Sequence, residues 1–391
     1  MNRFLDGFRV LEITSFISGP YTGQLLADMG AEVIKIEKPD GGDPFRSFSQ
    51  DLLSPQFCAY NWGKRSVTLD MNTAGGRDLL LRLVDRSDVL LENFRPDVLP
   101  RLGLGWDVLH QRNPRLIYCN ISGFGPDGPY AKRPAYDTVA QSMSGFFSQL
   151  LDPDRPRIAG PAMADPITGL YAALAIASAL AGRGKDGKGH RLDVNMVEAM
   201  IAFGTDPATQ FLQRGRAPGP YDRAAMSQSV AVRCADGKLI GLHLSSPQKF
   251  WDALLAAMDR PDIGQDPRFA AREGRVKNFA ALCEVLGEVF AKQPRAAWEK
   301  RLHDQDVPYA PMLDYAEVEA DPQIRHMQTF FAADHAQLGK VRGMQAPVWC
   351  DRMRETPDLP PPILGEHTDE QARLAGLTEQ EISQLRAQKA I

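Results

Sequence analysis

The first forty residues alternate between short apolar runs and one helix-spaced stretch. "FRVLEIT" (8–14) and "AEVIKIEKP" (31–39) are β-rich runs, and "PYTGQLLADMG" (20–30) between them places Leu25, Leu26 and Met29 on one face. Strand, helix, strand is a βαβ unit, which predicts a parallel sheet with a right-handed crossover. The alternation continues through the strand "SVTLDM", the helix "GGRDLLLRLVDRS", the strand "DVLLENF", two short helical stretches near "PDVLPRLG" and "WDVLHQRNP", and the strand "RLIYCNIS". An open α/β domain is therefore expected over roughly the first 200 residues.

The pattern changes near residue 214. "RGRAPGPYDRAAMSQS" is rich in Gly, Pro and polar residues and reads as a linker. Beyond it "VAVRCADGKLIGLHL" predicts a hairpin turning at Asp236-Gly237, and helical segments such as "PQKFWDALLAAM" and "NFAALCEVLGEVFAKQ" follow. The expected organisation is a large α/β domain over 1–213, a smaller α+β domain over 225–320 and a C-terminal segment over 330–391. In that segment a triple proline marks a loop, and Thr378 with Glu381 resembles a capping box ahead of the last helix.

The longest apolar run, Ile167 to Ala181, includes Thr168, Gly169, Tyr171 and Ser178. It is short and mixed for a membrane span and reads as a buried core helix. Asp165 stands just ahead of it. With Pro166 behind, it fits an N-cap followed by proline at the first helical position. A carboxylate at a helix start also suits a catalytic group, and both readings stay open here.

The 391 residues carry a formal net charge of −4, which gives no basic footprint for nucleic acid or an anionic membrane. Five dispersed cysteines, with no CxxC and no Cys/His ligand spacing, predict a reduced, cytoplasmic protein, and the N-terminus lacks a signal-peptide core. The scattered histidines predict no metal site, and no G-x-S-x-G elbow is present. The first βα turn, "TSFISGPYTG", departs from the dinucleotide fingerprint but offers backbone N–H groups at a helix start. Glu37 stands where a ribose-binding acid could lie. Lys35, Lys38, Arg46, Lys64, Arg65, Arg95 and Arg101 read singly as solvated charges, yet several fall at strand-to-helix junctions that suit a phosphate-rich ligand. "SGFGPDGPYAKRPAYDTVAQSMSG" reads either as a binding loop around Tyr136-Asp137 or as a connection in which Asp137 caps the next helix.

From end to end the chain resembles the family III CoA-transferases. The resemblance is carried by "GPYTGQLLADMGAEVIKIEKPDGGDPFR", "KRSVTLDM", "LLENFRPDVLPRLGL", "RPAYDTVAQSMSG", "DPITGLYAALAIASAL", "GKGHRLDVNMVEAM" and "LGEHTDEQARLAGL". It implies a Rossmann-like large domain, an interlocked homodimer, an acyl-CoA and a small carboxylic acid as substrates, and no metal or redox cofactor. It also implies a catalytic aspartate at Asp165 that passes through an aspartyl anhydride and an enzyme-CoA thioester. CoA contacts carry over onto Ile17, Ser18, Lys38, Leu69, Asn72, Asn93, Phe94, Arg95, Arg101, Tyr136, Asp137 and Met196. Lys38 stands in place of an arginine and Asn72 in place of a lysine of the formyl-CoA enzymes. The glycine-rich lid of those enzymes is missing from "GLHLSSPQKF", which argues against formyl or oxalyl specificity. The α-methylacyl-CoA racemases of the same family carry His-Asp where this chain has Tyr136-Asp137. A phenol, with a pKa of ~10, is a poor neutral-pH base, which favours transfer over racemisation. A racemase-like enzyme and a non-catalytic acyl-CoA-binding protein are the alternatives.

Overall fold

The computed structural model describes residues 3–49 and 53–391. Its first half runs β1 (Arg9–Ile13), α1 (Ser18–Asp28), β2 (Glu32–Glu37), β3 (Lys64–Thr68), α2 (Ala74–Val84), β4 (Val89–Glu92), β5 (Ile117–Ser122), α3 (Asp137–Met143), α4 (Ala164–Asp186), β6 (Arg191–Asn195) and α5 (Met196–Phe203). The six strands pair in parallel in the order β3-β2-β1-β4-β5-β6. The chain thus builds outward from β1 in one direction and then returns to build from its other side. Such a reversal opens a crevice at the carboxyl ends of the central strands.

Both faces of the sheet are covered, so its strands are apolar on both sides. Leu11, Ile34 and Leu90 pack on one face with Leu79, Leu80 and Leu83 of α2. Val10, Val33, Leu91 and Ile117 pack on the other with Leu26 of α1 and Ala172, Ile176 and Leu180 of α4. The long helix α4 is buried along one side only. By length and composition it could cross a membrane, but its inner side lies on the sheet and on α1. Its outer side leaves Leu170 and Leu174 at 51% and 62% exposure, so the run expected to be wholly interior is half a surface.

Charged residues interrupt the apolar strands at neighbouring positions. Glu12 and Lys35 are register partners on β1 and β2, and both are fully buried. The Lys35 ammonium lies 3.1 Å from Glu12 and 2.9 Å from Asp43, and that of Lys64 lies 2.8 Å from Glu12. Lys64 also donates to the Pro20 carbonyl at 2.7 Å and Asn61 Oδ1 at 3.0 Å. Gly23 of α1 sits against the Glu12 carboxylate, where a Cβ would clash. The solvated role expected of Lys35, Lys64 and Arg46 is therefore wrong. Arg46 grips Glu37 through Nε at 2.8 Å and Nη2 at 2.7 Å. That pair also removes Glu37 from any ribose-binding role.

A second compact unit comprises Phe147–Ile158 and Asp206–Met327. The change of unit thus precedes the Gly/Pro-rich stretch expected to be the linker. The hairpin expected at Asp236-Gly237 forms from β7 (Ser229–Arg233) and β8 (Leu239–His243), and β9 (Tyr309–Met312) completes an antiparallel sheet of three strands. Trp251, Leu286, Phe290 and Trp298 centre its core.

The chain then rejoins the first unit, which holds the described residues through Phe146, Ala159–Thr205 and Gln328–Ile391. A hairpin that the sequence reading did not anticipate, β10 (Phe330–His335) with β11 (Gly339–Met344), opens this return. Two helices close it, Thr368–Leu374 and Glu379–Ala387, the second behind the expected capping box of Thr378 and Glu381. They cover the edge strand β3. Its Thr68 N–H donates to Thr368 Oγ1 at 2.9 Å, its Ser66 carbonyl accepts the His367 N–H at 2.9 Å, and Asp70 N–H just beyond it donates to the Ala390 carbonyl at 2.8 Å.

Candidate active site

The crevice at the strand ends is a cleft of about 460 Å³. Residues 15–18 after β1, residues 93–96 after β4, residues 121–123 at the end of β5, Ala131 and residues 133–137 line it, together with Asp165 and Met196. The turn after β1 is unusual. Phe16 has φ +66°, a conformation costly for a bulky residue. It is held there from both sides. Asp43 Oδ1 accepts the Phe16 N–H at 3.3 Å, while Asn93 accepts the Ser15 N–H at 3.1 Å and donates to the Ser15 carbonyl at 2.9 Å. The buried Glu12–Lys35–Asp43 charges thus support the turn that carries Ile17 and Ser18 into the cleft. Ile17 is the N-cap residue of α1 and Ser18 its first residue.

Asp165 does not cap α4. The helix starts at Ala164 behind Met163, and Asp165 is its second residue. The capping acceptor comes from elsewhere: Asp137 Oδ1 accepts the Met163 N–H at 2.8 Å and the Asp165 N–H at 3.2 Å. Asp137, which one of the two sequence readings made the cap of its own helix, is the first residue of α3 behind Tyr136. Its other carboxylate oxygen accepts from Gln141 Nε2. Freed from capping, the Asp165 side chain faces the cleft. Burial, with the neighbouring Asp137 charge adding to it, pushes its carboxyl up to about 7 against a hydrogen bond from Ser18 that works the other way. The close approach of α1 and α4 that brings Ser18 to Asp165 depends on Gly169. A Cβ there would meet the Ser18 carbonyl oxygen at 2.9 Å. Thr22 Oγ1 ties the same pair, donating to the carbonyls of Ser18 at 2.8 Å and Gly169 at 3.3 Å.

Of the residues singled out from the sequence, Ile17, Ser18, Asn93, Phe94, Arg95, Tyr136, Asp137, Asp165 and Met196 line this one cleft. The other four do not line it. Lys38 lies exposed beyond β2. Leu69 is packed into the core below β3. Asn72 folds back on Asp70, donating Nδ2 to Oδ1 at 2.9 Å. Arg101 is exposed, with Nε 3.1 Å from the Asp97 carbonyl. The structure adds Phe16, Phe45, Phe48, Ser122 and Arg133 to the lining. Arg133 lay in a loop read as binding, and its guanidinium sits 4.6 Å from the Tyr130 ring centre. The three phenylalanines carry no chemical signal in sequence, because an apolar ring reads equally well as core.

A part-buried carboxylate in a crevice whose lining includes two arginines can act as a nucleophile toward an anionic ligand. The family model for CoA-transferase family III matches residues 5–368. The acetyl-CoA:oxalate CoA-transferase of Acetobacter aceti is 36% identical, over 81% of this chain and 83% of its own. The succinate–glutarate CoA-transferase of Agrobacterium fabrum is 35% identical, over 93% of both chains. A CAIB/BAIF family protein from Brucella suis superposes with a TM-score of 0.86 at 34% identity, covering 96% of this chain and 100% of that one.

Proposed function

This chain belongs to CoA-transferase family III, and from that premise we propose that it moves CoA from an acyl-CoA to a free carboxylic acid with Asp165 as the covalent nucleophile. The observation that carries the reading is the desolvated Asp165 carboxyl in the strand-end cleft, raised to about 7 and bonded to Ser18. Desolvation makes the carboxylate more basic and more reactive while leaving much of it ionised at neutral pH.

In the proposed sequence an Asp165 oxygen attacks the thioester carbonyl, the C–S bond breaks and CoA leaves as its thiolate. A mixed anhydride joins Asp165 to the acyl group. The thiolate then attacks the Asp165 carbonyl carbon, the donor acid leaves as its carboxylate, and Asp165 becomes a CoA thioester. An incoming carboxylate attacks that thioester and forms a second anhydride, releasing the thiolate again. The thiolate adds to the new acyl group, which leaves as acyl-CoA and restores Asp165. Each step breaks one bond and forms one, and no redox change is involved. Arg95 and Arg133 suit the phosphates of CoA as charge-assisted donors, and binding of that remote nucleotide holds the thioester over Asp165.

A homodimer belongs to the same reading. Leu170 and Leu174 on the outer side of α4, and Ile201 and Phe203 at the end of α5, are exposed apolar side chains. Such side chains suit burial in a subunit interface. Light scattering at low micromolar concentration should give a dimer mass, and a stable monomer would remove this part.

The reaction is tested with Asp165→Asn and with hydroxylamine. The wild-type enzyme incubated with acyl-CoA and hydroxylamine should yield a hydroxamate on the peptide containing Asp165. The Asn variant should bind CoA normally and lack transfer. An active Asn variant, shown by mass to be free of deamidation, would sink the mechanism.

A further inference from the structure

Four aromatic rings stand in one row along the cleft. Tyr136 meets Phe16 edge-on with centroids 6.3 Å apart, Phe16 meets Phe45 at 5.5 Å, and Phe45 meets Phe48 at 4.8 Å. All four line the cleft that holds Asp165. The row begins one residue from Asp137, whose carboxylate accepts the Asp165 N–H. Its two ends are open to solvent, with Tyr136 at 67% and Phe48 at 58% exposure. Large apolar surface left open inside a reactive cleft is surface for a ligand to cover.

The charges around this row are equally informative. Three cations lie near Phe45 and Phe48 in the chain; two are already committed, and the third, Lys38, lies exposed beyond β2 and does not line the cleft. Lys35 is enclosed by Glu12 and Asp43. Arg46 is paired with Glu37, and its guanidinium lies 3.8 Å from the Phe57 ring centre. Among the described residues that line the cleft, the cations are Arg95 and Arg133, both on the strand-end loops. The carboxylates are Asp137 and Asp165, side by side at the start of the row. A second carboxylate on a substrate laid along the rings would lie over apolar surface and find no cation among them.

We propose that the acyl side of this cleft selects monocarboxylic acids with an apolar chain or ring, and discriminates against dicarboxylic acids. This rests on the CoA-transfer reading for the catalytic step, but not for the binding preference. The acyl group runs along Tyr136, Phe16, Phe45 and Phe48, the thioester carbonyl lies at Asp165, and Arg95 and Arg133 hold phosphate. Each methylene laid on the rings adds about fourfold to binding.

Binding and transfer are measured separately on the full-length protein. Calorimetry on the Asp165→Asn variant compares hexanoyl-CoA with succinyl-CoA. Transfer by the unmodified enzyme compares hexanoate and phenylacetate with succinate and oxalate as acceptors. The expected result is binding at least tenfold tighter for hexanoyl-CoA, with kcat/KM favouring the apolar acids by a similar factor. Phe48→Ala, at an exposed position, should reduce the preference for hexanoyl-CoA over acetyl-CoA several-fold. Succinyl-CoA bound as tightly as hexanoyl-CoA, or succinate used as well as hexanoate, overturns the proposal and leaves the transfer mechanism standing. Tighter hexanoyl-CoA binding without transfer to any acid upholds the selectivity and removes the mechanism instead.

Discussion

Asp137 accepts the backbone N–H of Asp165 at 3.2 Å, and with it the N–H of Met163 at 2.8 Å. One carboxylate therefore caps the helix that presents the other. The arrangement places two acids in contact through a backbone bond, so that the capping charge also bears on the proton affinity of the reactive one.

Asp137→Asn should separate these two effects. Asn caps a helix nearly as well as Asp, so stability should change by less than about 1 kcal/mol, as read from urea unfolding. The like charge beside Asp165 disappears, and the Asp165 carboxyl should titrate at lower pH. Asp137→Ala removes the cap as well and should cost about 1 kcal/mol more. Identical pH profiles for wild type and Asp137→Asn would contradict the electrostatic link.

The pH dependence follows from the same carboxyl. In the proposed mechanism only ionised Asp165 attacks, and burial, with the Asp137 charge beside it, holds its carboxyl at about 7. The kcat/KM should rise tenfold per pH step on the acid side and level off above about 7. Stability moves the other way. The folded value lies above the unfolded one of 3.8, so the stabilising contribution is full below that value and is lost as pH rises through about 7. Asp165→Asn should therefore be more stable than wild type at pH 8, by about 1–3 kcal/mol, with the two converging only below about pH 4. Thermal unfolding at both pH values measures this.

Gly169→Val should damage the site from a distance. The added atoms meet the Ser18 carbonyl, where a bare Cβ already comes within 2.9 Å. Overpacking of this kind costs about 1–3 kcal/mol, and it moves Ser18 from Asp165. We expect a lower Tm and a fall in kcat larger than the rise in KM. Wild-type kcat in a folded Val variant would argue against the α1–α4 contact as a positioning device.

Lys64→Met tests the buried charges. It leaves Glu12 with one ammonium instead of two in a site closed to water. Removing one partner from such a cluster costs about 3–5 kcal/mol. The double change Glu12→Gln with Lys64→Met should cost less than the sum of the single changes, which a double-mutant cycle reads directly.

Much of the architecture was legible because local patterns decide it. The strand-helix-strand start, the hairpin at Asp236-Gly237 and the Thr378–Glu381 capping box each rest on residues close in sequence. What escaped rests on pairs far apart. The cap of α4 comes from 28 residues upstream, so Asp165 with Pro166 looked like a local helix start. Lys35 looked solvated as a single lysine, although Ile34 and Ile36 flank it as Leu11 and Ile13 flank Glu12. In a parallel sheet covered on both faces, a charged residue at such a position is buried whichever way it points. Two opposite charges at equivalent places in successive strands were the available signal. The aromatic row escaped for a different reason: rings that contact substrate and rings that fill a core look alike until a cleft is seen beside them.

The edge of the large sheet is closed by the last helices, through bonds from Thr68 to Thr368 and from Asp70 to Ala390. During synthesis the ribosome makes β3 about 300 residues ahead of those helices. The second unit, with its local hairpin and consecutive helices, is completed in between. Until the tail emerges, β3 carries unpaired N–H and C=O groups of the kind that invite pairing with other chains. Contacts of such long sequence separation are slow to form. The nascent chain therefore carries an unfinished large sheet while its inserted unit is being made, and that interval is when it is most prone to aggregate.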